Sequence, residues 1–129
     1  MRHAVVVTLE NMTVIVGPNG HAYRARDGKE LLADMPACDG GASPMARGDQ
    51  VVFTTGERSK HPQKGLSLWT LSAPDAETLK AAMIWHVPDP ALDTRAPAWV
   101  GDCLYHPRQV KPKCKALTVY DATTSAVLG

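Results

Sequence analysis

Aromatic residues are scarce in this 129-residue chain: three tryptophans, three tyrosines and a single phenylalanine. So small a supply excludes a core built on stacked rings and predicts aliphatic packing instead. Net charge is almost absent, +1 with histidine neutral, which excludes a surface positive all round for gripping a nucleic-acid backbone. A nucleic-acid site would have to be local. Cysteine is limited to Cys38, Cys103 and Cys114, an odd number that argues against a secreted disulfide framework. No apolar run approaches the roughly 20 residues that span a bilayer. After Met1-Arg2-His3, only Ala4 to Val7 are apolar before Thr8, too few for a secretory core. The expectation is a cytoplasmic protein with no membrane partner. A glycine-rich phosphate cradle and a His-Glu-x-x-His pair are also missing, so neither a cofactor nor an enzymatic activity is expected.

What the chain does have is punctuation. Glycine and proline, ten each, cut it into short segments, which fits a strand-rich fold better than a helical bundle. Five strands are expected at Ala4–Leu9, Met12–Val16, His21–Arg26, Gln50–Thr54 and Leu66–Leu71, rich in β-branched residues. Asn19-Gly20 and Asp27-Gly28 are turn signals. Lys29–Asp34 fits either one helical turn or a continued third strand. Met35–Arg47, rich in Pro, Gly, Ala and Ser, reads as a loop. Beyond Ser72 the period changes. Ser72-Ala73-Pro74-Asp75 looks like a helix start. Leu79, Ala82, Met83 and His86 then fall on one helical face, and Pro88 and Pro90 end the helix. Trp99–Tyr105 and Lys115–Tyr120 read as two further strands joined by His106–Lys113, and 123–129 as a tail. The fold class expected is mainly β: a five-stranded OB-type barrel over 1–72, with a helix and a β-hairpin over 73–129 packed on it.

Particular residues carry a family likeness. Val7-Thr8-Leu9-Glu10-Asn11, Val14, Val16, Asn19-Gly20-His21 and Ala25 resemble the opening strands of translation initiation factor one. Gly48-Asp49-Gln50-Val51-Val52-Phe53, a basic loop, and Lys64-Gly65-Leu66 resemble its closing strands. The same pattern is similar to the N-terminal OB domain of the circularly permuted ribosome-assembly GTPases and, more distantly, to cold-shock domains. The likeness covers about the first 72 residues. It implies an OB barrel and RNA binding. Cold-shock domains carry stacked aromatics where this chain has Thr13, Ile15, Tyr23 and Arg24, and no GTPase phosphate loop follows the barrel. Base stacking contributes roughly 1–3 kcal/mol per base, so losing most of that platform weakens the cold-shock mode.

Two basic segments are the candidate contacts for phosphate. In an OB fold the loop 57–65, with Arg58, Lys60, His61 and Lys64, is one of two that grip a ligand; alternatively it is a solvated turn whose lysines guard a sheet edge. Arg108, Lys111, Lys113 and Lys115 form the second, and no acid occurs from Cys103 to Tyr120. Tyr23 and Trp69 are the candidate stacking faces. Cys103-x-x-His106 with Cys114 is a weak candidate for metal, since a structural zinc site wants four ligands in two close pairs. A Cys–His pair with Asp102 nearby is the weakest idea, because neighbours on a strand diverge. The expected function is therefore non-catalytic binding of RNA or single-stranded DNA through the basic loops. The alternative is a protein-interaction module, a small adaptor or a phage- or plasmid-encoded inhibitor, docking onto a larger protein partner.

Overall fold

The computed structural model describes residues 4–36, 44–55, 65–87, 98–111, 114–121 and 124, with 106–121 described by their backbone pairing. Eleven strands run in chain order: β1 (Val5–Thr8), β2 (Thr13–Val16), β3 (Ala22–Arg24), β4 (Glu30–Leu32), β5 (Met45–Arg47), β6 (Gln50–Thr55), β7 (Gly65–Ser72), β8 (Lys80–Val87), β9 (Ala98–Val100), β10 (Cys103–Lys111) and β11 (Cys114–Asp121). They form three antiparallel sheets, β1-β2-β3-β4, β5-β6-β7-β8 and β11-β10-β9.

The sheets stack in layers around the middle one. Val7, Val14, Val16 and Ala22 of the first sheet pack on Val51, Phe53 and Leu71 of the second, with Met12, Met35 and Leu79 closing the ends. The opposite face of the second sheet offers Val52, Leu66, Leu68 and Trp85 to Leu104 of the third, with Met45, Val87 and Trp99 around them. Strand parity explains the division, since successive side chains point to opposite faces. In β6, Val51 and Phe53 enter one layer and Val52 the other. Every residue from Val51 to Thr55 is buried. The core is mainly aliphatic, with Phe53 its single phenylalanine and Trp85 buried in the second layer.

The OB-type barrel is corrected by this arrangement. No closed barrel forms among the described residues. Lys29–Asp34 does not extend the third strand: Gly28, at φ 74°, reverses the chain, and β4 returns antiparallel to β3. The end of the expected loop 35–47 is also a strand, β5, turned into β6 at Gly48 with φ 61°. These additional strands complete two four-stranded sheets. β1 packs beside β5, but neither sheet's pairing includes the other's strands.

The C-terminal helix is corrected as well; no helix occurs among the described residues. Lys80–Val87 is β8, paired along its length with β7. The cap signal was real but local. Asp75 Oδ1 accepts from the Glu77 N–H at 2.8 Å, the side-chain turn that Asp makes outside helices as readily as at their starts. The run Ile84-Trp85-His86-Val87 favours extended backbone, and β7 supplies the partner. Residues 65–87 are thus a hairpin, and one sheet spans both sides of Ser72.

The C-terminal hairpin forms, with different bounds. Gly101, at φ 58°, divides Trp99–Tyr105 into β9 and β10. The expected connector His106–Lys113 is strand as far as Lys111. No helix among the described residues is long and apolar enough to cross a membrane.

Thr54 is buried with its hydroxyl unpartnered among the described residues, facing a layer of Val, Leu and Trp side chains. A buried hydroxyl without a partner costs more than 1 kcal/mol. Thr54→Val, which keeps the shape, is expected to raise stability by about 1 kcal/mol, read as a higher denaturation midpoint at unchanged slope.

Candidate interaction edge

The structure describes only part of the sequence-predicted site. Arg58, Lys60, His61, Lys64 and Lys113 lie outside the described residues. Arg108 and Lys111 belong to β10, opposite Ala116 and Cys114 of β11. Cys103 stands opposite Asp121, at the other end of the same hairpin from Cys114. At about 3.3 Å per residue the two cysteines are roughly 26 Å apart. His106, opposite Thr118, is roughly 10 Å along the strand from Cys103. The hairpin therefore does not draw these three into one coordination sphere. Among the described residues no group of three or more His, Cys, Asp or Glu side chains converges. Asp102 is engaged elsewhere, accepting from the Arg47 guanidinium at 3.2 Å, and Arg47 lies over the Trp99 ring, 5.3 Å from its centre.

The two proposed stacking residues are on different sheets. Tyr23 stands on the outer face of the first sheet, in a cross-strand row with Ile15 and Val6. Val6 is 63% exposed. His21 lies parallel to the Tyr23 ring, 6.3 Å between centres, and its Nδ1 contacts the Glu30 carboxylate. An acid thus borders this platform, which suits a phosphate chain poorly.

Trp69 is on the second sheet, half-buried against the first core layer. Its indole N–H donates to the Ser67 hydroxyl at 3.0 Å, which sets the ring's orientation. Directly opposite on β8 is Met83, and the pairing shifts register between Leu68 and Trp69, so that Ile84 is an extra residue on β8. This β-bulge has a packing reason. It lets Ala81 serve the first core layer while Trp85 serves the second. Met83 and Ile84 are 42% and 48% exposed. Among the described residues β8 ends the middle sheet, and Trp69, Met83 and Ile84 form an apolar group at this end of it. Apart from Lys80 at its start, β8 has no Lys, Arg, Asp or Glu. Sequence reasoning missed this edge because Met83 was placed on a helical face.

A second feature went unread in the sequence. Arg24 points inward from β3 with its side chain only 6% exposed. Its Nε and Nη2 donate to the two Asp27 oxygens at 3.0 and 2.6 Å. Nη1 donates to the Ala76 carbonyl and the Glu77 carboxylate at 2.8 and 2.7 Å. This fork ties the β3–β4 turn to the β7–β8 connection. Asp27 foremost, then Glu77, holds the guanidinium protonated beyond even arginine's ordinary range. In return Arg24 holds the Asp27 carboxyl well below the usual carboxylate range, helped by the Lys29 N–H. Glu77 is lowered by the same guanidinium, and Asp75 by the Glu77 N–H. Arg24-x-x-Asp27 across a Gly turn was the available signal. The cleft beside it, about 370 Å³ and lined by Asn11, Met12, Thr13, Arg24, Arg26 and Ala76, has its buried cation fully engaged, which marks a structural clamp.

No known protein family matches the chain, and no curated protein matches it closely enough to count as a relative.

Proposed function

We propose that this chain is a non-catalytic protein-interaction module, as a small adaptor or inhibitor is, and that its working surface is the outer edge of β8. The observation that carries the reading is the grouping of Trp69, Met83 and Ile84 at the end of the middle sheet, whose other large apolar residues are buried or half-buried. Tryptophan and methionine are enriched where proteins dock. Trp69 is already oriented by Ser67, so little rotamer freedom remains to be lost on binding. The Lys80–Ile84 stretch of this end strand also offers backbone N–H and C=O groups to an extended partner segment.

Selection from a displayed random-peptide library tests this directly. Wild-type protein is expected to select extended peptides with alternating apolar residues, and Met83→Lys or Ile84→Lys to lose at least roughly 100-fold in affinity for them. Both positions are exposed, so the variants fold. Peptides that bind both variants as tightly as wild type sink the proposal.

Binding of RNA or single-stranded DNA is the second reading, supported by a long β10–β11 hairpin whose sequence carries Arg108, Lys111, Lys113 and Lys115 without an acid from Cys103 to Tyr120. Arg58, Lys60 and Lys64 would add to it. Salt separates the two. Nucleic-acid affinity falls linearly in log salt with a slope near −0.7 per phosphate on single strands, whereas an apolar edge responds little. Titrating the tryptophan fluorescence with an oligothymidylate at low salt makes the distinction.

A further inference from the structure

We propose that Asn19 is a modification site: it deamidates spontaneously in the folded chain, and the isoaspartate that results loosens the β2–β3 hairpin. Neither the site nor its product involves β8.

The turn joining β2 to β3 sets up the reaction. Gly17 donates its N–H to the His21 carbonyl at 2.9 Å, and Gly20 donates to the Gly17 carbonyl at 3.4 Å. Gly20 is at φ 86°, where glycine alone carries no steric cost. The turn thus gives Asn19 the least hindered neighbour a reacting side chain can have. Asn19 is exposed. Its side chain folds back over Gly17, where a Cβ would stand 2.7 Å from Oδ1. Oδ1 accepts from the His21 N–H at 3.2 Å, and among the described residues Nδ2 has no acceptor.

The Gly20 main-chain nitrogen loses its proton to hydroxide and attacks Asn19 Cγ. A bond forms between that nitrogen and Cγ, and the bond from Cγ to Nδ2 breaks. Nδ2 takes a proton from water and leaves as ammonia, which no bond to the protein holds back. The His21 N–H faces Oδ1, the atom on which negative charge builds during the attack, and a positioned donor stabilises such charge. Water then opens the cyclic imide. Opening at Cγ leaves aspartate. Opening at the α-carbonyl leaves isoaspartate, whose main chain runs through Cβ and Cγ. The bond that must be released is the long one from Gly20 to Gly17. A net hydrogen bond amounts to no more than roughly a tenfold equilibrium factor, so folding slows the reaction by about that much at most.

The described residues offer two contrasts. Asn11, the only other asparagine in the chain, donates Nδ2 to the Ala73 carbonyl at 2.6 Å and precedes the bulkier Met12. Asp27-Gly28 is a similar dipeptide, but Arg24 binds both Asp27 oxygens and keeps that carboxylate ionised, a poor electrophile. Reaction is therefore confined to Asn19 among these three. Isoaspartate lengthens the main chain inside a turn that seats Val16 opposite Ala22, both fully buried, and whose Gly20 carbonyl accepts from the Met35 N–H at 3.1 Å.

Incubation of the full chain at mildly alkaline pH, native and in guanidinium chloride, tests the proposal by fragmentation mass spectrometry. Conversion of Asn19 to aspartate and isoaspartate is expected, faster as pH rises, with the native rate within roughly tenfold of the denatured rate and Asn11 intact. The separated isoaspartate form is expected to melt lower than unaged protein and to exchange amide hydrogens over 14–24 at least roughly tenfold faster. Freshly prepared Asn19→Asp, which keeps the acceptor for His21 and the main-chain length, should match unaged protein in both. A native rate more than about tenfold below the denatured one overturns the proposal, as does conversion of Asn11 alongside Asn19. An isoaspartate form that melts and exchanges like unaged protein overturns it too, as does Asn19→Asp loosening the hairpin equally.

Discussion

Phe53→Ala is expected to cost about 3–5 kcal/mol, a large share of the roughly 5–15 kcal/mol by which a domain of this kind is stable. Phe53 is fully buried and stands opposite Ser67 on β7. It fills the layer between the first and second sheets among Val7, Val14, Val16, Val51 and Leu71. Truncation loses the transfer free energy of a ring and leaves a hole, and β-sheet backbones on both sides limit collapse into it. The same layer has no other phenylalanine to take its place. Denaturant unfolding measures the effect as a lower midpoint at constant slope. A cost below about 1 kcal/mol would mean that the first sheet is not held on the second by this core.

Arg24→Ala is expected to lower the melting temperature at neutral pH by something on the order of 10 °C. The loss has two parts. The fork joining Asp27, Ala76 and Glu77 disappears, freeing the β3–β4 turn from the β7–β8 connection, and two carboxylates lose the cation that holds them ionised. pH separates the parts. Asp27 and Glu77 have folded pKa values below their ordinary ones. Such groups lend stability that is complete above the ordinary carboxylate range, about pH 4, and that drains away as pH falls through and below it. The gap in melting temperature between wild type and Arg24→Ala should therefore be widest near pH 7 and narrow steadily below about pH 4. A gap that stays constant from neutral to strongly acidic pH would show that the guanidinium serves by packing alone. Arg24→Lys keeps a positive charge without the planar fork, and should fall between the two.

Much of the β character was legible because it is local. Val5-Val6-Val7, Val14-Ile15-Val16 and Gln50–Thr54 alternate or cluster β-branched residues, and Asp27-Gly28 is a turn in the sequence and in the fold. Closure was not legible. Whether strands curl into a barrel or face each other as sheets depends on which edges pair, and that is decided by the short strands Glu30–Leu32 and Met45–Arg47, too brief to carry a period of their own. The helix over 75–86 misled for a physical reason. Ala81, Ala82 and Met83 favour helix, and Asp75 does form a cap-like bond, yet pairing with β7 outweighs both. Arg24 was unreadable as a core residue because its partner Glu77 lies 53 positions away. The candidate edge followed from the same error: once 80–87 is a strand rather than a helix, Met83 changes from a core residue to an exposed neighbour of Trp69.

One consequence of β6 concerns how this protein can diverge. Most sheets leave alternate positions open to water, so about every second codon can drift through polar residues. From Val51 to Thr55 no such freedom exists, because both sides of the strand are packed. Five adjacent codons are closed to charge, and their permitted alphabet shrinks to apolar residues and small hydroxyls. Distant descendants of this gene should therefore keep an uncharged pentapeptide here after their surfaces have become unrecognisable, and that short stretch would be the place to begin looking for them.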